Sequence, residues 1–286
     1  MANISVLYWI LLDEPPALIE LVLHRMTILY TPLMRIASLS PAATEIVCAL
    51  GLGKDIVCTD QFSNFPDEVK GLPHLKDHQK IAVQDLRPFA PDVVLTGTVI
   101  QERLAAELKA AGLPVFHQDP RTLAQVYEAI VALGILLERE ELARGIVREM
   151  EERLHRLQTK VKLLPAKARV YVEEWHLPPM VSGNWVPEII RAAGGTSFPI
   201  EAGTLSREVM LEEVQKFDPD LIVISWCGAG KLAEKKLLME REGWGALRAG
   251  REHRVKVIDD SLLNRPGVRL GQGMEQLFGW IFEILH

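Results

Sequence analysis

Short apolar runs alternate with longer amphipathic stretches along the chain from Arg35 onward. Runs such as RIASLS, DVVLTG and DLIVIS have the length and the β-branched content of buried strands. The stretches between such runs predict helices at residues 83–90, 101–111, 122–137, 187–193, 231–248 and 270–285. The alternation predicts an α/β fold in which helices cover both faces of parallel sheets.

Two segments of the chain repeat one pattern, DLRPFAPDVVLTG at residues 85–97 and EVQKFDPDLIVIS at residues 213–225. Each has an amphipathic lead-in, a Pro-Asp pair and a β-branched run. SPAATEIVCALGLG (residues 40–53) resembles NWVPEIIRAAGGTS (residues 184–197) in the same way. Two copies of one α/β unit predict two lobes, and a cleft between lobes is a common place for a small ligand.

The run at residues 139–165 differs from the rest, because its apolar residues recur at helical spacing with charged residues between them. A helix of about 25 residues is nearly 40 Å long, which is enough to cross from one lobe to the other. A coiled-coil partner helix is the alternative, although such a stripe usually packs on its own protein. We therefore predict an N-terminal lobe at 34–138, a bridging helix at 139–165 and a C-terminal lobe at 166–286.

Residues 1–33 fit neither lobe. The apolar run SVLYWILL ends at Asp13, residues 1–5 hold no Lys or Arg, and the segment has no Cys for a lipid anchor. Neither apolar stretch reaches the roughly 20 residues that span a bilayer, and a secretory signal needs a basic start. We expect this segment to be peripheral, and an upstream misreading of the start codon would account for it.

Composition excludes several classes of function. The 286 residues are 48% hydrophobic and 24% charged, and the net charge of −6 with scattered Lys and Arg argues against a nucleic-acid partner. The three cysteines, Cys48, Cys58 and Cys227, have no CxxC spacing, so we expect free thiols. GxSxG, HExxH and phosphate-loop motifs are absent from the sequence, which argues against the corresponding enzyme classes.

SLSPAATEIVCALGLG, the two Pro-Asp units, the long central helix and NRPGVRLGQG together resemble the periplasmic cobalamin-binding proteins. These belong to a class of siderophore, haem and metal-ion carriers, and the resemblance covers residues 35–286. It implies a class III periplasmic-binding-protein fold, with two Rossmann-like lobes, central parallel sheets and a single long α-helix that joins the lobes. It also implies a non-catalytic monomer without an intrinsic cofactor, which binds cobalamin or a related corrinoid and delivers it to the permease and ATPase of an ABC importer.

Two alternatives to this interpretation stay open. The first keeps the fold and changes the ligand to a siderophore, haem or another metal chelate. The second is a cytosolic corrinoid-handling or sensing protein on the same fold. The resemblance implies a periplasmic or extracytoplasmic location, whereas a chain that starts at Met1 without a signal peptide would stay in the cytoplasm.

A corrinoid is a flat macrocycle edged with amides, so its site needs aromatic or apolar faces and polar groups at the rim. We predict that aromatic side chains on loops at the strand ends supply those faces. The candidates are Phe62 and Phe65 in the first lobe and Trp185, Trp226 and Trp175 in the second. The alternative for each is a side chain that covers the core of its own lobe.

Arg265, His78 and Arg269 are the charged or titratable candidates. Arg265 and Arg269 flank a Pro-Gly turn, and their guanidinium groups suit amides or a phosphate; the alternative, favoured for Arg269, is a salt bridge to Asp259 or Asp260. His78 lies where cobalamin carriers place a stacking Trp, and imidazole also binds transition metals. The scattered histidines form no convincing set of three ligands, so we predict no site for a bare metal ion.

Carriers of this class dock on their transporter through one acidic residue on each lobe. The corresponding positions here are Gln84 and Glu212, and the next residues are Asp85 and Glu213. Such charge pairs mainly set orientation and selectivity. The alternative for Glu212 and Glu213 is an ordinary solvated helix face.

Overall fold

Two separate β-sheets form within residues 34–286, the part of the chain that this computed structural model describes. Residues 1–33 lie outside the described residues, so their peripheral position stays a prediction. The first sheet contains β1 (Ile36–Ser38), β2 (Ile56–Asp60), β3 (His74–Leu75), β4 (Val93–Gly97) and β5 (Val115–Gln118). These strands lie in the order β3-β2-β1-β4-β5 and every pair is parallel, as the sequence pattern predicts.

The second sheet contains β6 (Ala168–Trp175), β7 (Met180–Val181), β8 (Gly195–Ser197), β9 (Arg207–Glu208), β10 (Leu221–Ile224) and β11 (Val255–Val257). Its order is β11-β10-β6-β7-β9, and β8 also pairs with β6. The pairs of β6 with β8 and β10, and of β10 with β11, are parallel, which confirms the predicted parallel centre. The antiparallel strands β7 and β9 form an edge that the sequence pattern did not predict.

Helices pack on both sheets, and each sheet has its own hydrophobic core. The helices near the first sheet are α1 (Pro41–Ala49), α2 (Val83–Leu86), α3 (Glu102–Ala110) and α4 (Leu123–Leu136). Those near the second are α6 (Val186–Ala192), α7 (Leu211–Phe217), α8 (Lys235–Glu240), α9 (Arg248–Arg251) and α10 (Leu270–Leu285). Ala37 and Val94 are buried in the first core and Tyr171 and Trp244 in the second, so each sheet buries apolar surface independently.

The long helix α5 (Glu140–Val161) lies between the two sheets in sequence and packs against α4, α6 and α10. Its buried residues Ala143, Met150 and Leu157 are seven positions apart, so one narrow stripe faces the protein. The predicted long helix is confirmed, although it ends earlier than residue 165. The lobe boundaries at 34–138 and 166–286 stay predictions.

The internal repeat is present in the backbone as well as in the sequence. In each copy the residue before the Pro-Asp pair ends a helical turn in the left-handed conformation. Asp92 then accepts a hydrogen bond from the backbone N–H of Arg35 (2.8 Å), and Asp220 accepts one from Arg169 (2.6 Å). Each aspartate therefore joins the helix-strand corner to the start of the neighbouring strand, β1 or β6.

The single helix predicted at residues 231–248 is wrong. The chain there forms a 3-10 turn at Gly230–Leu232 and then the short helices α8 and α9, with turns between them. Gly243 has φ +77°, far from the helical value near −63°, and the next residue, Trp244, is buried in the second core. The need to bury this indole ring competes with continuation of the helix.

Candidate ligand-binding cleft

A cavity of about 500 Å³ opens at the carboxyl ends of strands from both sheets and is lined by residues of both lobes. This is the edge at which open α/β sheets bind ligands, and the volume lies within the range of small-molecule sites. The wall from the first lobe includes Ser40, Phe62, His78, Gln79, Thr98, Ile100 and Gln101. The wall from the second lobe includes Glu174, Trp175, Met180, Cys227, Asp260, Asn264 and Arg265.

Phe62 and His78 lie together on the first wall. Their ring centroids are 4.8 Å apart and the rings are nearly perpendicular, with an angle of 80°. Such an edge-to-face contact holds both rings in place beside the cavity. Of the predicted ligand contacts, these two, Trp175 and Arg265 lie on the cavity.

The buried side chain of Gln101 organises the first wall. Its Nε2 donates hydrogen bonds to the carbonyl oxygens of Leu39 and His78, both at 2.7 Å, and its Oε1 accepts one from Gly97 N at 2.8 Å. These bonds tie the loop that carries His78 to the ends of β1 and β4. Gln101 was not predicted from the sequence, because an amide in a predicted helix resembles any surface glutamine.

Trp185 and Trp226 do not line the cavity, so the structure does not support their predicted contact with a ligand. Trp185 is 3% exposed and donates its indole N–H to the carbonyl oxygen of Leu263 (2.6 Å). Trp226 is 6% exposed and donates to the buried carboxylate of Glu173 (3.0 Å). A buried indole needs such a partner for its N–H, and both rings pack within their own lobe.

The second wall takes its aromatic ring from Trp175, the last residue of β6. Trp175 is 46% exposed and lines the cavity, and its N–H donates to the carbonyl oxygen of Leu177 (3.1 Å). Phe65, in contrast, lies outside the cavity lining. The guanidinium carbon of Arg269 lies 4.0 Å from the centre of the Phe65 ring, so this ring packs on a cation, and the structure does not support its predicted contact with a ligand.

Two carboxyl groups reach the cavity from the second lobe. Burial raises the pKa of Glu174, whose Oε2 accepts a hydrogen bond from the Ser206 hydroxyl at 2.5 Å. Asp260 accepts hydrogen bonds from the backbone N–H groups of Gly228 (3.0 Å) and Gly230 (2.8 Å). Neither carboxyl group is among the ligand contacts predicted from the sequence.

Arg265 and Arg269 both bind Glu45, which lies on α1 in the first lobe. Arg265 Nη1 is 2.8 Å from one carboxylate oxygen, and Arg269 donates to both oxygens at 2.6 and 2.8 Å. The salt bridge of these arginines to Asp259 or Asp260, the alternative given from the sequence, is therefore wrong, and Glu45 is their partner. Glu45 is 2% exposed, so this ion cluster is a buried connection between the lobes. Glu45 lies more than 200 positions from both arginines in sequence, and no local pattern predicts their pairing.

Two of the four predicted docking residues are exposed in the first turn of a helix, and the other two cap the helices that carry them. Gln84 and Glu212 are exposed in the first turns of α2 and α7. Asp85 accepts a hydrogen bond from Ala82 N (3.0 Å), and Glu213 accepts one from Met210 N (2.9 Å), so both cap their own helices. Glu213 also pairs with a neighbouring arginine, which lowers the pKa of its carboxyl.

The part of the chain from residue 34 onward shows no group of three or more His, Cys, Asp or Glu side chains placed to hold a metal ion. In the same residues, every helix is too short or too polar to span a bilayer.

Comparison with known sequences agrees with this architecture. The profile of a family described as periplasmic binding protein matches residues 36–262. The chain is 25% identical over 248 residues to a vitamin B12-binding protein of Vibrio cholerae, and the match covers 86% of this chain and 88% of that protein. It is 29% identical over 255 residues to YvrC, an uncharacterized ABC transporter substrate-binding lipoprotein of Bacillus subtilis (85% and 78% covered).

Solved structures share the fold at low sequence identity. The periplasmic heme-binding protein RhuT from Roseiflexus, in its apo form, has a TM-score of 0.78 at 23% identity, with 88% of this chain and 99% of that chain covered. The periplasmic vitamin B12-binding protein BtuF of Vibrio cholerae has a TM-score of 0.71 at 23% identity, with 87% and 97% covered. The predicted α/β fold of two lobes is confirmed. Among the solved structures with this fold, one is described as binding heme and another as binding vitamin B12.

Proposed function

We propose that this chain, which belongs to the periplasmic binding protein family, carries a corrinoid such as cobalamin. The family and the relatives are substrate-binding proteins of the kind that serve ABC importers. The vitamin B12-binding relatives support a corrinoid in particular. On this proposal the chain is a monomeric, extracytoplasmic carrier without an intrinsic cofactor or catalytic step, and its partners are a permease and an ATPase.

The chemistry of the cavity walls is the observation that carries the proposal. Phe62 and Trp175 supply aromatic faces from the two lobes, and Gln79 and Asn264 place amide groups on the lining. A flat ring edged with neutral amides is complementary to such walls, through ring contacts and hydrogen bonds at the rim. The arginine on the lining, Arg265, is already paired with the buried Glu45 carboxylate and is poorly placed to neutralise an anionic ligand.

Haem is the second candidate, and the position of His78 favours it. The imidazole lies on the cavity lining, and histidine is a common axial ligand of haem iron. Solved structures of haem carriers share the fold. The propionates of haem are anionic, however, and two carboxyl groups line the same cavity, so the charge of the walls favours the corrinoid.

Equilibrium titration of the full chain with cobalamin, haem and a ferric siderophore tests the proposal. We expect cobalamin to bind with a Kd of about 1 μM or tighter, about 8 kcal/mol of binding free energy, and to bind more tightly than haem. A cobalamin Kd weaker than micromolar, or tighter binding of haem, would reject the corrinoid assignment.

We further propose that Gln84 and Glu212 mark the surface that meets the permease, because they occupy equivalent exposed positions directly before the two copies of the repeat. Asp85 and Glu213 support this surface by capping the helices. A Glu212→Lys variant is expected to bind ligand as the unaltered protein does and to support less ligand uptake by the importer. Unchanged uptake would exclude Glu212 from docking.

A further inference from the structure

Two adjacent glutamates near the end of β6 have different surroundings, at a point where the pairing of β6 with β7 is irregular between Glu173 and Trp175. Glu173 points into the core, where Tyr171, Trp226 and Arg241 donate hydrogen bonds to its two oxygens. Glu174 points to the cavity and has a protein partner for one of its oxygens. Within residues 34–286, no group donates a hydrogen bond to the other oxygen, Oε1.

The Glu174 carboxyl group is held in one orientation. The Ser206 hydroxyl oxygen accepts a hydrogen bond from Gly183 N (2.9 Å), so its own proton is directed to Glu174 Oε2. Gly183 packs closely on the loop before Ser206, since a Cβ there would lie 2.4 Å from the carbonyl oxygen of Thr204. Both ends of this hydrogen-bond chain are therefore fixed, and Oε1 stays directed away from Ser206 and available to a ligand.

Within residues 34–286, neither carboxyl group on the second wall forms an ion pair with a cationic side chain. Asp260, the other carboxyl group on the lining, is bound by backbone N–H groups, and Arg265 is paired with Glu45. A carboxylate at the ligand rim would face like charge in a partly desolvated site. An amide N–H at the same place would instead donate a charge-assisted hydrogen bond.

We propose that Glu174 is a specificity-determining residue, which accepts a hydrogen bond from an uncharged amide at the ligand rim and repels ligands with a carboxylate at that position. The inference rests on the proposed function, because it concerns the ligand of the same cleft. Glu174 would thus distinguish macrocycles by the charge at the rim. Ring size and ring stacking do not make that distinction.

The test compares cobalamin with each of its monocarboxylic acid derivatives, in which one rim amide is replaced by a carboxylate. The unaltered protein is expected to bind cobalamin at least tenfold more tightly than at least one derivative. In Glu174→Gln that ratio is expected to fall by about tenfold, chiefly through tighter binding of the acid. Glu208→Gln removes the same charge from an exposed position on β9, and it is expected to leave the ratio unchanged.

Ser206→Ala is a second variant that keeps the charge of Glu174 and removes its fixed orientation. We expect weaker cobalamin binding and a ratio between those of the unaltered protein and Glu174→Gln. Thermal unfolding of each variant shows whether it is folded. A ratio that is the same in the unaltered protein, Glu174→Gln and Ser206→Ala would overturn the inference, while tight cobalamin binding would leave the proposed function standing.

Failure of the proposed function has a different signature. If the unaltered protein binds no cobalamin, haem and its dimethyl ester provide the same comparison between an anionic and a neutral rim. Glu174→Gln must then weaken the preference for the ester by about tenfold, and an unchanged preference would overturn the role of Glu174 independently of the ligand class.

Discussion

The three tryptophans near the cleft in the second lobe differ in whether their rings face the cavity or the core. Trp175 ends β6 with its ring on the cavity, whereas Trp185 and Trp226 are buried with their N–H groups bonded to protein oxygens. All three are tryptophans on strand-end segments, and their roles differ because their partners differ. The aromatic wall of the second lobe therefore depends on Trp175.

Replacement of Trp175 by Ala is expected to weaken cobalamin binding by about tenfold, because the ligand loses an aromatic contact of about 1 kcal/mol together with apolar area. The free energy of unfolding should change little, since the ring is half exposed. Titration and urea unfolding measure the two quantities.

Trp185→Phe is the matched control. It removes the donor to the Leu263 carbonyl and should lower the free energy of unfolding by about 1–3 kcal/mol, with a smaller effect on affinity than Trp175→Ala. A larger loss of affinity in Trp185→Phe than in Trp175→Ala would contradict the assignment of the wall.

At the scale of elements, the turn between α4 and α5 sets how the long helix leaves the first lobe. Gly134 on α4 faces Ala143 on α5 so closely that a Cβ at Gly134 would lie 2.3 Å from the Ala143 Cβ. The two helices therefore approach at a point where any side chain larger than hydrogen must push them apart. Gly145, two residues further along α5, has open space instead, with the guanidinium end of Arg148 as its nearest neighbour at 3.8 Å.

Gly134→Ala is expected to lower the free energy of unfolding by about 1–3 kcal/mol, since overpacking exceeds the gain in helix propensity. Gly145→Ala makes the same chemical change in open space and should raise the free energy of unfolding by up to about 1 kcal/mol. Urea unfolding of both variants checks the signs. A stabilising Gly134→Ala would show that α4 and α5 are not in close contact.

At the scale of the whole molecule, two of the connections that join the lobes within residues 34–286 are extensive. One is the continuous helix α5, which resists bending. The other is the buried cluster of Glu45 with Arg265 and Arg269, which joins α1 to the segment before α10. Because Arg265 also lines the cavity, this cluster holds one wall of the cleft against the first lobe.

Glu45→Ala is expected to lower the free energy of unfolding by about 3–5 kcal/mol, because two largely buried guanidinium groups lose their counter-charge. Glu152→Ala on α5 breaks an exposed ion pair with Arg156 and should change the free energy of unfolding by at most about 0.5 kcal/mol. Urea unfolding gives both values. Similar small effects in the two variants would mean that the cluster does not stabilise the fold.

The sequence predicted what depends on local pattern and missed what depends on distant partners. The strands, the long helix and the repeated Pro-Asp unit follow from the spacing of apolar residues, and they are confirmed. The partner of Arg265 was missed because Glu45 lies 220 positions away. Regular strand alternation would place Glu174 and Trp175 on opposite faces, yet both line the cavity where the pairing of β6 with β7 is irregular, and no local sequence pattern predicts that irregularity.

A crystal structure of the full chain with cobalamin tests the central claim most directly. The account predicts that the corrin ring lies between the two lobes, in contact with Phe62 and Trp175, with a rim amide within hydrogen-bond distance of Glu174. A corrinoid bound elsewhere on the chain, with both rings free of contact, would contradict the account.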